Sequence, residues 1–216
     1  RGLVIIEDAA HAIGLPKLSD RALAHALSGQ PSPVDLGLMI DEHGRKEYFD
    51  NTLGMGFDTV VTIHSHRIPV LRGFLIYLVA VLQTIILNHI PAHVHIETDR
   101  ESWDDITLMT TLCNGGREGG GFVLSPESSM TDGLLEFIMV RKVSRVMMFR
   151  LLPEFLKGTH MRFTKQLRMG SCRKFSLTSD HPLYIHADGE ILTSFGSNLR
   201  KVSIEVLPGA LQVVKG

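Results

Sequence analysis

Short apolar runs separated by turn residues recur along most of this chain and predict a structure built mainly of β-strands. From Val34 the first two runs flank a polar turn at residues 41–44, which predicts a hairpin that ends near Asn51. A later run, residues 106–113, is apolar enough to form a buried strand. Further strands are predicted at residues 91–97, 163–167, 174–178, 183–186, 191–192 and 202–207.

Helices are predicted where this pattern changes. Two short ones near the start, residues 8–13 and 21–27, follow capping side chains and end at glycine or proline. Another is predicted over residues 146–157, just before a glycine. Pro31 and Pro33 interrupt the pattern before the first hairpin, and they indicate a linker and a domain boundary.

The most hydrophobic segment is residues 71–90. Its uninterrupted part is short for a bilayer span, and Gln83 and Thr84 break it. The segment lacks a clean polar face, so two interpretations stay open. It is either a helix of the protein core, or it lines a lipid cavity or contacts a membrane.

Composition describes an ordinary globular protein. Of the 216 residues, 44% are hydrophobic and 21% are charged, and the formal net charge is −1, so no basic excess points to nucleic acid. Two cysteines, Cys113 and Cys172, are too few for a disulfide framework and favour a reducing compartment. We expect Cys113 to be a structural thiol. The first residues lack a signal-peptide pattern and suggest a cut into a longer chain.

A glycine-rich stretch followed by an acidic turn is the first candidate site. Five glycines fall within residues 115–121, which predicts a loop whose backbone passes close to another group. The loop leads to Asp132-Gly133 and then to an apolar strand. A carboxylate among free carbonyl groups at a tight turn can hold a hard cation such as Mg²⁺. An ordinary hairpin turn is the alternative.

A second acidic turn, Asp188-Gly189-Glu190, lies between two strand-like runs far downstream. The glycine loop with S-P-E-S-S-M-T-D-G-L-L, followed later by strand, D-G-E, strand, resembles the diacylglycerol kinase and sphingosine kinase family of lipid kinases. F-D-N at residues 49–51, G-M-G-F-D at residues 54–58 and F-L-K-G-T-H at residues 155–160 extend the resemblance, which runs from about Asp8 to the end.

The resemblance implies a fold and a reaction. The fold expected is α+β, mainly an antiparallel β-sandwich with a few helices, like the C-terminal, substrate-side domain of these kinases. The reaction is transfer of the γ-phosphate of ATP to a lipid hydroxyl. Glu190 would be the proton acceptor, Asp188 would contact the nucleotide phosphates or their metal or orient Glu190, and Gly189 would let them approach the nucleotide. A structural Mg²⁺ would be held by Ser129, Asp132 and Leu134, the first and last through main-chain oxygens.

The same comparison predicts that the nucleotide-binding α/β domain is largely absent from the sequence given. Where the family has P-L-G-T-G-N-D, residues 2–8 read G-L-V-I-I-E-D. The two glycines and the threonine of the motif are thus replaced by valine and isoleucine. The domains expected are residues 1–33, a remnant of the nucleotide side with a linker; residues 34–206, the β domain; and residues 207–216, a tail. The chain alone would then be inactive. A non-catalytic lipid-binding or regulatory remnant and an enzyme like the related NAD kinases are the alternatives.

Several partner questions stay open at this level. His89, His93 and His95 have a spacing that could hold Zn²⁺, although exposed strand histidines are the ordinary interpretation. A basic group around Arg145 is either a solvated helix face or attracts anionic lipid headgroups. We expect a lipid substrate of undetermined identity, a cytoplasmic location peripheral to a membrane, and exposed strand edges that favour a homodimer.

Overall fold

The computed structural model of the chain describes residues 30–68, 73–119 and 121–214. In this part, eleven strands form one curled antiparallel sheet, three α-helices pack against it, and two more strands make a small separate hairpin. The α+β class with mainly antiparallel strands is therefore confirmed. None of the helices in these ranges is long and apolar enough to cross a bilayer.

The bounds of the elements are as follows. The sheet strands are β1 (Pro31–Asp41), β2 (Lys46–Phe49), β3 (Thr52–Gly56), β4 (Ala92–Thr98), β5 (Ser102–Cys113), β8 (Leu135–Arg141), β9 (Leu167–Cys172), β10 (Lys174–Ser179), β11 (Ile185–Ala187), β12 (Glu190–Thr193) and β13 (Lys201–Val214). The small hairpin is β6 (Arg117–Glu118) with β7 (Phe122–Val123). The helices are α1 (Phe57–Ser65), α2 (Phe74–Leu87) and α3 (Arg145–Lys157), followed by a 3-10 turn, His160–Arg162.

Strand β5 organises the sheet. The strand order is β12-β11-β3-β5-β4-β10-β13-β1-β2, with β8 also paired to β5 and β9 to β8. Thr107 of β5 pairs with Ala92 of β4 and with Arg141 of β8, so β4 and β8 lie on opposite edges of β5. Beyond this point β3 replaces β4 on the same edge. The sheet therefore divides along β5 and can curl around a core.

The core has two layers because β8 is buried on both faces. Leu135, Phe137 and Met139 of β8 enter the main cluster inside the curled sheet. Ile138 and Val140 point the other way, toward the helices. Two-sided burial explains the unbroken apolar run of this strand. In β13, by contrast, buried and more exposed residues alternate over its first half, as expected for a strand with one buried face.

Both cysteines lie in these apolar layers. Cys113 and Cys172 are free thiols, and each is fully buried. Burial raises the pKa of Cys113 well above its ordinary value, and it raises the pKa of Cys172 to about 12. A thiol held in its protonated form is a poor nucleophile. This agrees with the structural role expected for Cys113.

Three predictions about element positions need correction. The strand expected at residues 163–167 is wrong: Phe163 follows the 3-10 turn under the guanidinium groups of Arg150 and Arg162, and β9 begins only at Leu167. Pro31 and Pro33, which were expected to form a linker, instead lie in strand β1, which begins at Pro31. Pairing of β1 with β2 starts only at Gly37, so both prolines lie where a missing N–H is tolerated.

The expected tail is also wrong, because β13 continues to Val214 and residues 207–214 belong to the sheet. The helices predicted at residues 8–13 and 21–27, and nearly all of the expected domain 1–33, lie outside the described residues.

Asp35 fastens the first strand to two distant turns. Its side chain is 3% exposed, and its two carboxylate oxygens accept the backbone N–H groups of Gly133 and Gly209, each at 2.7 Å. Its backbone N–H donates to the carbonyl of Met130 at 2.8 Å. Charged acceptors for buried amides form strong bonds, and removing them leaves the amides unsatisfied.

We therefore expect Asp35→Ala to lower the free energy of unfolding by about 2–4 kcal/mol. Chemical denaturation of the purified chain measures this. The control is Glu205→Ala, an exposed carboxylate on β13 that lies 4.0 Å from Lys174 Nζ, for which we expect a change below about 0.5 kcal/mol. Equal effects of the two changes would contradict the role assigned to Asp35.

Candidate functional site

The carboxylate of Asp188 holds together the turn between β2 and β3. Oδ2 accepts the backbone N–H of Asp50 at 2.9 Å, and Oδ1 accepts those of Asn51 at 3.0 Å and Thr52 at 2.8 Å. In return, the N–H of Asp188 donates to the carbonyl of Thr52 at 2.9 Å. Asp188 has a φ of 50°, in the left-handed region that aspartate tolerates better than most residues. The acidic turn is thus fixed in place by its own side chain.

Asp50 lies beside this carboxylate and shares its surroundings. Burial raises the pKa of Asp50 from 3.8 to about 7, and the charge of Asp188 adds to the effect. Two carboxyl groups this close disfavour double ionisation. Asp50 therefore keeps its proton to a higher pH than an ordinary aspartate, while the side chain of Asp188 accepts three backbone N–H bonds.

Asn114 links this turn to the turn that contains Asp132. Its buried side-chain amide donates to the carbonyl of Asp50 at 2.7 Å and to the carbonyl of Asp35 at 2.8 Å. Asp35 in turn binds the N–H of Gly133, next to Asp132. The two acidic turns predicted from the sequence therefore belong to one continuous hydrogen-bond network.

The residues predicted to hold Mg²⁺ lie at an exposed turn before β8. Asp132 Oδ1 accepts the N–H of Leu134 at 3.0 Å, and Ser129 Oγ lies 3.3 Å from Thr131 Oγ1. The donors offered are one carboxylate and two main-chain carbonyls, all hard oxygens of the kind that Mg²⁺ takes. The donor chemistry fits, and the Mg²⁺ site at Ser129, Asp132 and Leu134 stays a prediction.

Glu190 is the exposed first residue of β12, directly across the turn from Ala187. Between them Gly189 has a φ of 84°, and no atom lies within 4 Å of the position that a Cβ would take. The space beside this turn is open to a ligand. The predicted roles of Glu190, Asp188 and Gly189 in catalysis and nucleotide binding are compatible with this position and stay predictions.

A second cluster, which the sequence did not predict, lies two residues before Asp188. His186 is fully buried, and its Nε2 lies 3.4 Å from Asp58 Oδ2 and 3.2 Å from Glu118 Oε1. Burial lowers the pKa of His186, but the carboxylates of Glu118 and Asp58 outweigh this and raise it from 6.5 to about 9. Among the described residues, Asp58, Glu118 and His186 form the one group of three potential ligands close enough to share a metal ion.

Glycines make room for this cluster and for the glycine loop. A Cβ on Gly54 would lie 2.1 Å from His186 Nε2 and 2.5 Å from Asp58 Oδ2. A Cβ on Gly115 would lie 2.0 Å from Asn51 Oδ1. The expectation that the glycine loop passes close to another group is confirmed. The G-M-G-F-D motif likewise has a physical role, since residue 54 must lack a side chain.

An apolar cavity opens from the acidic cluster into the space between the helices and the sheet. Its volume is about 90 Å³, several times the roughly 10–15 Å³ that one water molecule needs on this measure. Asp58 and Glu118 lie at its wall, and its apolar lining includes Val81 and Ile85 of α2 and Leu151 of α3. The lining is almost entirely hydrocarbon, which suits an alkyl chain.

The hydrophobic segment before β4 contributes to this lining. Helix α2 buries Ala80, Val81, Thr84 and Ile85, whereas Leu75 and Ile86 are more than half exposed. The interpretation as a helix of the protein core is correct for the inner face, and the contact with a lipid or a membrane stays a prediction. The inner face forms core and cavity wall, and the outer face is apolar and exposed.

Two of the histidines considered for Zn²⁺ have other partners. His89 Nε2 lies 2.6 Å from the carbonyl oxygen of Val143, on a different element. His95 Nδ1 lies 2.9 Å from Asp104 Oδ1 at the surface. Neither belongs to the cluster around His186.

Relatives in other organisms agree with the resemblance found in the sequence. A diacylglycerol kinase of Mycobacterium tuberculosis is 28% identical over 211 residues, which cover 96% of this chain and 65% of that protein. A Salmonella typhimurium protein named "Probable lipid kinase YegS" is 28% identical over 207 residues, covering 95% and 64%. The chain thus spans about 65% of the length of these relatives.

The fold has a counterpart among solved structures. The crystal structure of a diacylglycerol kinase from Bacillus anthracis superposes with a TM-score of 0.67 at 16% sequence identity, over 98% of this chain and 64% of that one. At this identity the match establishes the fold alone. The YegS C-terminal NAD kinase beta sandwich-like domain matches residues 51–215. This chain therefore belongs to the family of YegS C-terminal NAD kinase beta sandwich-like domains.

Proposed function

We propose that this chain is the acceptor side of a lipid kinase, which transfers the γ-phosphate of ATP to the hydroxyl group of a lipid. The observation that carries the proposal is the junction of an apolar cavity with an acidic turn. Asp58 and Glu118 lie at the cavity wall, and His186 connects them to Asp188 through strand β11. Two residues of strand span only about 7 Å.

This arrangement suits a substrate with one apolar and one polar end. The alkyl part would occupy the cavity between α2, α3 and β5, where burial of each methylene contributes about 0.8 kcal/mol. The hydroxyl end would then reach the polar side, where the Asp188 turn is held rigidly. A rigid site keeps the reacting groups aligned without further loss of entropy.

Glu190 is the proposed general base. It takes the proton of the acceptor hydroxyl as the hydroxyl oxygen forms its bond to the γ-phosphorus, while the bond from that phosphorus to the bridging oxygen breaks and ADP leaves. Asp188 acts on this step by positioning, because its oxygens are engaged with the backbone of residues 50–52. Gly189 leaves open space for the phosphates.

ATP and Mg²⁺ are proposed as co-substrate and cation of the complete protein. Mg²⁺ would offset the negative charge of the phosphates during transfer. A second, structural Mg²⁺ would be held by Asp132 together with the carbonyls of Ser129 and Leu134. Its place would be beside the Asp35 network, so that it would stabilise the turn after the glycine loop.

The lipid is proposed to enter from a membrane surface at α2 and α3. The outer apolar side chains include Ile86 and Val146, which are 58% and 79% exposed. Arg145 ties the two helices together, since its Nε donates to the carbonyl of Ile85 at 3.0 Å. Lys142 and Arg150 add positive charge next to the apolar face. Such a mixture favours anionic bilayers.

The base assignment is tested by Glu190→Gln in the full-length product of the gene that encodes this chain. We expect phosphate transfer to fall by about 10²–10⁴-fold, because the proton loses its acceptor. The melting temperature should stay the same, since Glu190 is exposed at a turn. Glu47→Gln on strand β2 is the control for loss of a carboxylate. Unchanged turnover in Glu190→Gln would refute the assignment, and lipid binding without any transfer in the unaltered protein would favour the non-catalytic alternative.

Cavity occupancy is tested by Val81→Phe, which adds bulk to the lining. We expect kcat/KM for a long-chain lipid to fall about tenfold, a loss of about 1.4 kcal/mol of binding, while KM for ATP does not change. The matched control is Val79→Phe on the outer side of the same helix, where the side chain is 40% exposed. If both variants kept full activity at unchanged melting temperatures, the lipid would not bind in this cavity.

Membrane docking is tested by vesicle sedimentation. The double variant Ile86→Glu, Val146→Glu should bind vesicles of phosphatidylcholine and phosphatidylglycerol at least tenfold more weakly, since two apolar contacts become charges facing an anionic surface. Tyr48→Glu, a change at another residue that is 58% exposed, should leave binding intact. Equal loss in both proteins would contradict a specific docking face.

A further inference from the structure

We infer that Asp58, Glu118 and His186 form a binding site for one divalent transition-metal ion, Zn²⁺ or Mn²⁺, at the polar end of the cavity. The inference goes beyond the proposed kinase activity and does not depend on it. It rests on the spacing of three potential ligand atoms, on a buried imidazole without a hydrogen bond, and on a gap that only glycine leaves open.

The distances match a shared ion. His186 Nε2 lies 3.4 Å from Asp58 Oδ2 and 3.2 Å from Glu118 Oε1. Two ligands at about 2.0–2.2 Å from one tetrahedral ion are about 3.3–3.5 Å apart. All three ligand atoms lie within 4.8 Å of one another.

His186 supplies the observation that points to a ligand. Its side chain is fully buried, Nδ1 has no partner, and Nε2 meets the two carboxylates only through ion-pair contacts, without a regular hydrogen bond. Buried polar groups in folded proteins almost always have a partner. A metal ion on Nε2 satisfies the imidazole and at the same time offsets the charge of Asp58 and Glu118.

The surroundings are built for coordination. The position of a Cβ on Gly54 falls 2.1 Å from His186 Nε2 and 2.5 Å from Asp58 Oδ2, so the space between these atoms exists because residue 54 is glycine. Thr111 Oγ1 donates to Asp58 Oδ2 at 2.7 Å and orients the carboxylate, as outer-shell partners of metal ligands do. The carboxylates are each 15% exposed, which leaves a path for the ion.

The donor set also predicts which ion binds. Imidazole favours Zn²⁺ and its neighbours in the first transition row, and carboxylates favour harder ions such as Mn²⁺. Mg²⁺ prefers six oxygen ligands at near-ideal octahedral geometry and retains its water. This site should therefore take Zn²⁺ or Mn²⁺ in preference to Mg²⁺, unlike the oxygen-only turn at Asp132.

The test is calorimetry on the purified chain after treatment with EDTA, with ZnCl₂, MnCl₂ and MgCl₂ titrated in turn. We expect one Zn²⁺ or Mn²⁺ per chain at least tenfold tighter than Mg²⁺, together with a rise in melting temperature. His186→Gln and Glu118→Gln should each weaken binding at least tenfold. The control is His95→Gln, another imidazole between carboxylates, those of Asp104 and Glu97, which should bind as the unaltered chain does.

Location is checked independently of the variants, in case one of them folds poorly. Crystals grown with Zn²⁺ should give an anomalous peak within about 2.3 Å of His186 Nε2 and both carboxylates. A peak elsewhere, or loss of binding in His95→Gln but not in His186→Gln, would overturn the site. Absence of binding by either transition metal would also overturn it, and would leave the cluster as an ion pair around an imidazolium.

Discussion

The carboxylate of Asp188 is the constraint on which the site depends. One side chain accepts three consecutive backbone N–H groups, those of residues 50–52, and so joins the turn after β11 to the turn between β2 and β3. Asp50 and Asn51 lie in the bend between β2 and β3, and Thr52 is the first residue of β3. Without Asp188 the buried amides would lack acceptors and the acidic turn would lose its fixed position. Glu190 is then held in place by an interaction made two residues earlier.

The same network extends to the other end of the candidate site. Asn114 lies at the end of β5 and bridges the carbonyls of Asp35 and Asp50, and Asp35 holds the turn next to Asp132. The glycine loop begins directly after Asn114, so its path is set by the same residue that connects the two acidic turns. The candidate site is made of separate loops, and a few buried side chains hold these loops together.

Much of the fold follows from sequence patterns, and the exceptions have physical causes. The hairpin of β1 and β2, strands β4, β5 and β10, and helix α3 agree with the apolar spacing and with their turns. Strand β9 reads L-R-M-G-S-C and lacks an alternating pattern, because it lies at the end of the β8 branch and is only partly buried. Phe163 looked like strand but lies under arginines in a turn. Helix α1 was missed since it is short and begins at a glycine in an unusual conformation.

For a related reason, only part of the candidate site could be predicted from the sequence. Asp132, Asp188 and Glu190 each lie within a local motif, and local motifs can be read from sequence. Asp58, Glu118 and His186 come from three distant segments that only the sheet brings together, and no spacing links them. Two features of the sequence could have indicated this cluster. One is Gly54 of G-M-G-F-D, where a side chain would collide with His186 and Asp58. The other is Glu118, which lies among the glycines of the loop.

The burial of both thiols has a practical consequence for spectroscopy. Cys113 and Cys172 are the chain's only cysteines, and their protonated, enclosed sulfur atoms should react slowly with maleimides. A cysteine introduced on the outer side of α2 or α3 would then react far faster than either. Fluorescent or spin labels could be attached there without first removing the native cysteines. With one label on each helix, the distance between α2 and α3 could be followed while ligand enters.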